Sequence, residues 1–593
     1  MKKYQNIIFP IIFFLILIIP FAFTNHHKNV ISDIDNRSLV DAPKFSDPNF
    51  STEMEQYLSD RIGFRSQMIQ AYTQLHNDIF HEMVHPTYQY GKQNYVFFKM
   101  HKNYTYDSYR HSFVNAVIQM RDYCEARGIE FYFLFNPEKL SVYRRYLPDG
   151  YNYDDTWVQE MIQDLAESEV KCVDNSAYLT DLSYTEQVFN IQYDAGHWND
   201  LGCFYGMNHL LERIHEDFPD VSPLTFDDFS ISSSNKTSLL FSDFPIEENV
   251  PVFSPLASFQ NKTSQVVDEL DLDPRYTAFH YYANDNVNSS DLPRTLIFQG
   301  SYLNGRTQFL YQNTSEEMGV HNYQNVLNLP YWVNLMQPDL VIFEVAEYVF
   351  SDQYFDSEKM DSLSFPPPLI EDPSLLEEQL TSIPIYPASV NASFHSTDEI
   401  DSLFILRNFP DAKNAYFITK DDVYDLSVSD DGNLSLTILH GFLSEDPDAW
   451  LVIENTSGEF YRINTPMKLL RELDLSLTLT PGVTISESGT ITFNTNVDKN
   501  RFSYIALMIY DYSKQEYQVI ETSASPNHVI SGKLTNNSTS GEFDVILKAN
   551  SNLSDESASF HLNLEQGETL YYQFKIDSFN AQNATVSNYK IWQ

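Results

Sequence analysis

Ile129-Glu130-Phe131-Tyr132-Phe133-Leu134-Phe135-Asn136 is a nearly unbroken apolar run between Gly128 and Pro137. A run of this length with no polar alternation reads as a strand buried on both faces, which is the habit of a parallel sheet. Its surroundings agree. A helix is expected over about 107–127, closed by Gly128 as a C-terminal cap. A second helix, about 154–168, leads to a strand around Val170–Val173, and a third spans Leu201–Asp217. Farther on, Arg294–Gln299 and Pro338–Val345 repeat the buried-strand pattern, with a helix expected after Gly300. Helices alternating with buried strands predict an α/β domain whose parallel sheet is covered on both faces. Ligands of such sheets lie beyond the carboxyl ends of the strands.

Toward the N-terminus, Tyr95–Phe98 reads as a short strand and about 51–84 as a helix. That helix ends in His81-Glu82-Met83-Val84-His85, two histidines one turn apart around a glutamate, as in zinc proteases. Pro86 disfavours helical geometry at His85, and no third ligand follows at a familiar spacing, so no metal is assigned. Residues 7–24 carry no charge and follow Lys2 and Lys3. Eighteen apolar residues are near the lower limit for a transmembrane helix, and the lysines favour a cytoplasmic start. The cleavage signature at Ala22-Phe23-Thr24 is poor, so we expect an uncleaved membrane anchor over 1–30 with an extracellular ectodomain.

The chain has 593 residues, too many for one core, and 37 basic against 82 acidic residues, a net charge of −45. Such a field excludes nucleic acid as a partner. Cys124, Cys172 and Cys203 are too few for a disulfide framework and lack metal-ligand spacing. No cofactor motif is present in the sequence. The α/β domain is expected over 31–363, with the polar stretch 218–293 as an insertion or lid. Pro366-Pro367-Pro368, Pro373, Pro384 and Pro387 mark a linker over 364–388. Alternating strands separated by Ser, Asn and Gly then predict a small β-rich unit at 389–465 and a β-sandwich at 466–593. Abundant aromatic residues in the last unit suit a carbohydrate-binding face and suit a sandwich core equally.

Two segments at the strand ends carry chemistry. In Asp194-Ala195-Gly196-His197-Trp198 a carboxylate precedes an imidazole by three residues, as a base and its orienting group require. The spacing alone is weak, since Asp78 and His81 repeat it. In Gln299-Gly300-Ser301-Tyr302-Leu303-Asn304 a serine follows a buried strand, where a nucleophile belongs. A helix N-terminus behind Gly300 is expected to aim N–H groups at an oxyanion, with Asn304 as a further donor. An N-capping serine at an ordinary turn accounts for the same residues.

Taken in order, Asn36-Arg37, Asp60-Arg61 with Arg65, Asn136-Pro137-x-Lys139 with Tyr143 and Leu147-Pro148, Asp194…His197-Trp198 and Gly300-Ser301-Tyr302 resemble the DHHW family. They are similar too to the SGNH-hydrolase-like O-acetyltransferases of alginate acetylation (AlgX/AlgJ type). The resemblance covers about 31–350. It implies a flavodoxin-like SGNH domain with Ser301 as nucleophile, His197 as base and Asp194 as orienter; Gly300, Tyr302 and Asn304 are candidates near the oxyanion or substrate from their place beside the serine. It further implies O-acetylation of a cell-surface or secreted polysaccharide and a membrane-bound O-acyltransferase that delivers acetyl. The chain departs from the family in the extra residue between Asp194 and His197, and in Gln299-Gly300 before the serine. An acetyl-esterase with the same triad, or an inactive glycan-binding scaffold of the cell envelope, stays open.

Overall fold

In a computed structural model of the chain, β1 (Glu130–Asn136) has every residue after Glu130 buried, as a central strand must. The structure describes residues 2–592 apart from 28–29, 31–38, 45–48, 81, 86, 100–104, 241–243, 286–290, 370–379, 386–391, 397–399, 406–408, 410, 419–422, 430–431, 440–449, 465–476, 487–489, 495–502, 526–527, 537–540, 550–555, 565, 567–568 and 581–582. Asn36, Arg37 and His81 lie outside the described residues.

The chain divides into two units, residues 1–329 with 337–367 and residues 330–336 with 368–593. The first is built on a seven-stranded sheet. Its strands are β1, β2 (Lys171–Asp174), β3 (Phe259–Asn261), β4 (Phe279–Asn284), β5 (Arg294–Gln299), β6 (Glu316–His321) and β7 (Leu340–Ala346). Their order across the sheet is β2-β1-β7-β5-β6-β4-β3. The first five in that order run parallel, while β4 and β3 add antiparallel at one edge. The sheet is therefore mixed, a correction to the all-parallel expectation. Both of these strands come from 218–293, whose mostly half-buried or exposed residues suit the side of a sheet rather than its buried middle. The same segment forms the hairpin Phe229–Ser238 with Pro245–Pro255.

Helix formation follows the local chemistry. In α4 (Ser108–Glu125) the Asp107 carboxylate caps the Arg110 N–H. Gly128, at φ +71, closes it, with the Ile129 N–H returning to the Cys124 carbonyl at 3.0 Å. Phe113 of α4 packs edge-on against Phe133, Phe350 and Phe355. The 51–84 helix is two helices, α2 (Phe50–Arg61) and α3 (Arg65–Phe80), broken at Phe64, which has φ 61. Buried Arg61 bonds the carbonyls of His27, Leu39 and Val40 and the Asp41 carboxylate, pinning the preceding segment. Tyr88–Tyr90 and Val96–Phe98 pair as a small hairpin. Cys124, Cys172 and Cys203 are free thiols.

The membrane anchor is the second correction. The helix α1 spans Lys2–Ala22, but its first turns hold Lys2, Lys3, Gln5 and Asn6, and Pro10 and Pro20 lie inside it. The apolar part, Ile7 to Ala22, rises only about 24 Å against a hydrocarbon core of about 30 Å. No helix of the described residues is long and apolar enough to cross a membrane. The expected transmembrane helix, membrane-anchored localisation and cytoplasmic stub are withdrawn accordingly.

In the second unit, two four-stranded antiparallel sheets between Ala392 and Asn464 share a core that includes Phe417, Leu436 and Ile453. Two five-stranded antiparallel sheets between Leu477 and Trp592 share another that includes Leu507, Phe560, Phe574 and Val586. Each pair is a face-to-face sandwich, since residues of both sheets enter one core.

Candidate active site

Ser301 stands directly after β5, and the loop Asp194–Asn199 leads into α8 (Asp200–Ile214). The structure brings them together across a sequence separation of 104 residues. Ser301 Oγ lies 2.8 Å from His197 Nε2. His197 Nδ1 lies 3.1 and 3.0 Å from Asp194 Oδ1 and Oδ2. The same carboxylate accepts the N–H groups of Gly196 and His197, each at 3.0 Å. Burial alone would raise the Asp194 pKa, but the His197 charge and these hydrogen bonds outweigh it and hold the carboxyl at about 2.

The loop is held by groups far apart in sequence. Lys139, wholly buried after β1, donates Nζ–H bonds to the carbonyls of Val96 (2.8 Å), Ile191 (3.0 Å) and Asp194 (2.9 Å). Burial pulls its pKa down to about 7, against the opposing charges of Asp194 and Glu248. From the hairpin, the Glu248 carboxylate accepts the N–H groups of Ile191, Gln192 and Tyr193 at 2.5–2.8 Å. The histidine and serine segments are then tied to each other. Trp198 Nε1 donates to the Tyr302 carbonyl at 2.9 Å, and the Tyr302 hydroxyl reaches the carbonyls of Gly196 (2.8 Å) and Pro137 (2.9 Å). Trp198 and Tyr302 are fully buried. Tyr302 is thus a brace between loops and not a group facing substrate.

Two further expectations meet a different arrangement. No α-helix follows Gly300: Ser301–Gly305 is a turn leading to short 3-10 segments, so no helix N-terminus stands behind the serine. The Gly300 N–H donates to Glu344 Oε2 at 2.6 Å and is spoken for. Asn304 is exposed, and its Oδ1 accepts from Gln299 Nε2 at 3.4 Å.

Residues that no motif announced fill these places. Tyr348, just after β7, hydrogen-bonds Ser301 Oγ through its hydroxyl, and the Tyr323 hydroxyl lies 3.4 Å from that of Tyr348. One direction of protons satisfies the whole row: Tyr323 donates to Tyr348, Tyr348 to Ser301, Ser301 to His197 and His197 to Asp194. Burial pushes the Tyr348 pKa up to about 12, so the phenol keeps its proton. Beneath Ser301, Glu344 accepts from Gly300 N–H and from Asn136 Nδ2 (2.8 Å), and burial raises its pKa to about 7. Asn136 continues through Asn175 Nδ2 (2.9 Å) to His209. No cluster among the described residues has metal-binding composition, and the His85 Nδ1 instead accepts the N–H groups of Thr87 and Tyr88.

No family model and no curated sequence matches the chain. Among solved structures it is similar to PatB1 of Bacillus cereus with a sulfonyl adduct, at TM-score 0.35 and 15% identity over 44% of this chain and 95% of that one. It is similar to the O-acetyltransferase domain of AlgJ from Pseudomonas putida, at TM-score 0.32 and 15% identity over 47% and 99%. A DHHW family protein from Eubacterium siraeum gives TM-score 0.33 and 14% identity over 47% and 100%. These likenesses assign no role to any residue here.

Proposed function

We propose that the first unit transfers an acetyl group to hydroxyls of a polysaccharide through an acyl-enzyme on Ser301. The observation that carries this is the 2.8 Å contact of Ser301 Oγ with a histidine whose other nitrogen rests on a buried carboxylate. A hydroxyl becomes a nucleophile when a positioned base takes its proton as it attacks. Here Ser301 Oγ attacks the acetyl carbonyl of the donor while His197 Nε2 takes the hydroxyl proton. The tetrahedral adduct collapses, the donor oxygen leaves with that proton, and acetyl-Ser301 remains. A sugar hydroxyl then attacks, again giving its proton to His197, and collapse returns the proton to Ser301 Oγ with the sugar acetylated. Asp194 stabilises the imidazolium in both halves. The Tyr348 O–H, already on Ser301 Oγ, takes the oxyanion-donor part that sequence reasoning gave to Gly300 and Asn304.

Geometry supports acyl transfer; the resemblance of the ordered motifs supplies acetyl and polysaccharide. The Asp-x-x-His spacing of conventional SGNH esterases favours a second reading, in which water takes the place of the sugar. The test is a burst assay with 4-nitrophenyl acetate followed by product analysis with oligosaccharide acceptors. A stoichiometric burst in wild type, absent in Ser301→Ala, with acetylated sugar as product, is expected. Acetate as sole product selects the esterase, and no burst leaves a silent scaffold.

A further inference from the structure

Two strands beyond the Ser301 turn, at the carboxyl ends of β1 and β2, lies a cavity of about 560 Å³. Its wall includes Ser141, Arg144, Arg145, Asp174, Asp181 and Tyr184. Its chemistry is distinctive. Arg144 and Arg145 face Asp155, Asp174 and Asp181, so carboxylates exceed guanidiniums. Both cations are engaged already: Arg144 pairs with Asp155, and Arg145 bonds the Ser183 carbonyl and, at 2.9 Å, its hydroxyl. With three carboxylates to two guanidiniums, one of them ion-paired, an anionic ligand is disfavoured there in a protein of net charge −45. A purely apolar ligand would cover these charged groups without pairing them, although Val142, Val158 and Ala177 add apolar wall between them. What suits this mixed lining is a neutral molecule with both hydroxyls and apolar C–H faces, met by carboxylates, by the Gln159 amide, by the valines and by an aromatic face. That face exists. The Tyr184 ring is 70% exposed, and its underside rests on the Arg145 guanidinium, 4.4 Å from the ring centre. A large ring held flat by a cation and open to solvent is a platform for stacking.

Position links the cavity to Ser301. The strand order β2-β1-β7-β5 puts Ser301, after β5, two strands from β1 and three from β2. At about 4.8 Å per strand this is roughly 10–15 Å along one sheet edge, the reach of a short oligosaccharide. The connection is also bonded. Ser141 on the cavity wall donates its hydroxyl to Glu347 Oε2 at 2.6 Å, and Glu347 adjoins Tyr348, which touches Ser301.

We propose that this cavity is a distal subsite for the acceptor, binding a neutral sugar unit of a glycan whose acetylated hydroxyl lies at Ser301. The proposal rests on the acyl-transfer reading above, and its test separates the two. Binding of neutral gluco-, manno- and N-acetylglucosamine hexasaccharides and of a hexauronate is measured by calorimetry on the Ser301→Ala protein, which needs no catalysis. At least one neutral hexasaccharide is expected to bind, about tenfold more weakly in Tyr184→Ala and in Asp181→Ala. On the chemically competent protein, the same two substitutions should raise KM for that hexasaccharide but not for its disaccharide, and leave the 4-nitrophenyl acetate burst unchanged. Binding of the hexauronate alone, binding of none of the four, or binding indifferent to both substitutions overturns the subsite. A missing burst in wild type counts against acyl transfer and leaves the calorimetric result to judge the cavity.

Discussion

At Ser301 the alcohol sits between two groups of opposite character, an imidazole that takes a proton and a phenol that keeps one. The two are separable by mutation. His197→Ala should remove acyl-enzyme formation to background, whereas Tyr348→Phe should leave the protein folded and slow the burst by about a hundredfold, the usual cost of one oxyanion donor. Asp194 has a second signature. Its folded pKa of about 2 lies below the ordinary aspartate value of 3.8, so its stabilisation is full above pH 3.8 and is lost as pH falls through 2. The shift corresponds to about 2 kcal/mol. Acid titration of Asp194→Asn should accordingly show a flatter loss of stability between pH 4 and 2 than wild type, and parallel curves would remove Asp194 from this role. The trio was legible because each member closes a recognisable segment, a strand end or a helix start. Tyr348, Glu344 and Glu248 were not, because nothing local marks a tyrosine or glutamate that acts only through distant partners. The Gly300 N–H misled for the same reason: the carboxylate that occupies it arrives from β7, 44 residues later.

Elements position these residues through tight packing. Trp198 fits a slot made by glycines one turn apart on α8. A Cβ on Gly206 would meet the Trp198 ring at 2.5 Å, and one on Gly202 would meet the Val188 carbonyl oxygen at 2.1 Å. Gly206→Ala should therefore push Trp198 off the Tyr302 carbonyl, cost roughly 1–3 kcal/mol in denaturant unfolding, and reduce the burst rate with it. An unchanged burst would mean that the serine turn does not need this staple. Lys139→Met is the stronger perturbation. It takes the Lys139 donor from three carbonyls, those of Val96 and Asp194 buried and that of Ile191 half-buried, at about 1–3 kcal/mol for each buried group. The helix expected after Gly300 failed to form, and a reason is visible in the braces: Tyr302 is turned inward to Gly196 and Pro137, which a regular helix from Ser301 would not require. The apolar N-terminal run forms a helix but not the transmembrane one expected, since its charged and polar first turns and two prolines shorten the part that counts for a membrane.

On the scale of the molecule, the parallel strands at the heart of the first unit were visible as unbroken apolar runs, and the sandwiches as alternating ones. The edge strands from 218–293 were hidden, since a partly exposed strand carries no run of its own and declares itself only by pairing. Charge makes the remaining prediction. With 82 acidic residues against 37 basic ones, KM for a neutral acceptor should be nearly independent of salt between low and physiological ionic strength. A KM that falls steeply with added salt would indicate a polyanionic acceptor instead.

The most direct test of the account is to trap the acyl group. The full chain is exposed briefly to an activated acetyl ester, quenched in acid and mapped by peptide mass spectrometry. An acetyl adduct on Ser301 in wild type, absent from His197→Ala, is predicted. Acetyl found on other residues alone, or an equal yield at Ser301 without His197, would contradict it.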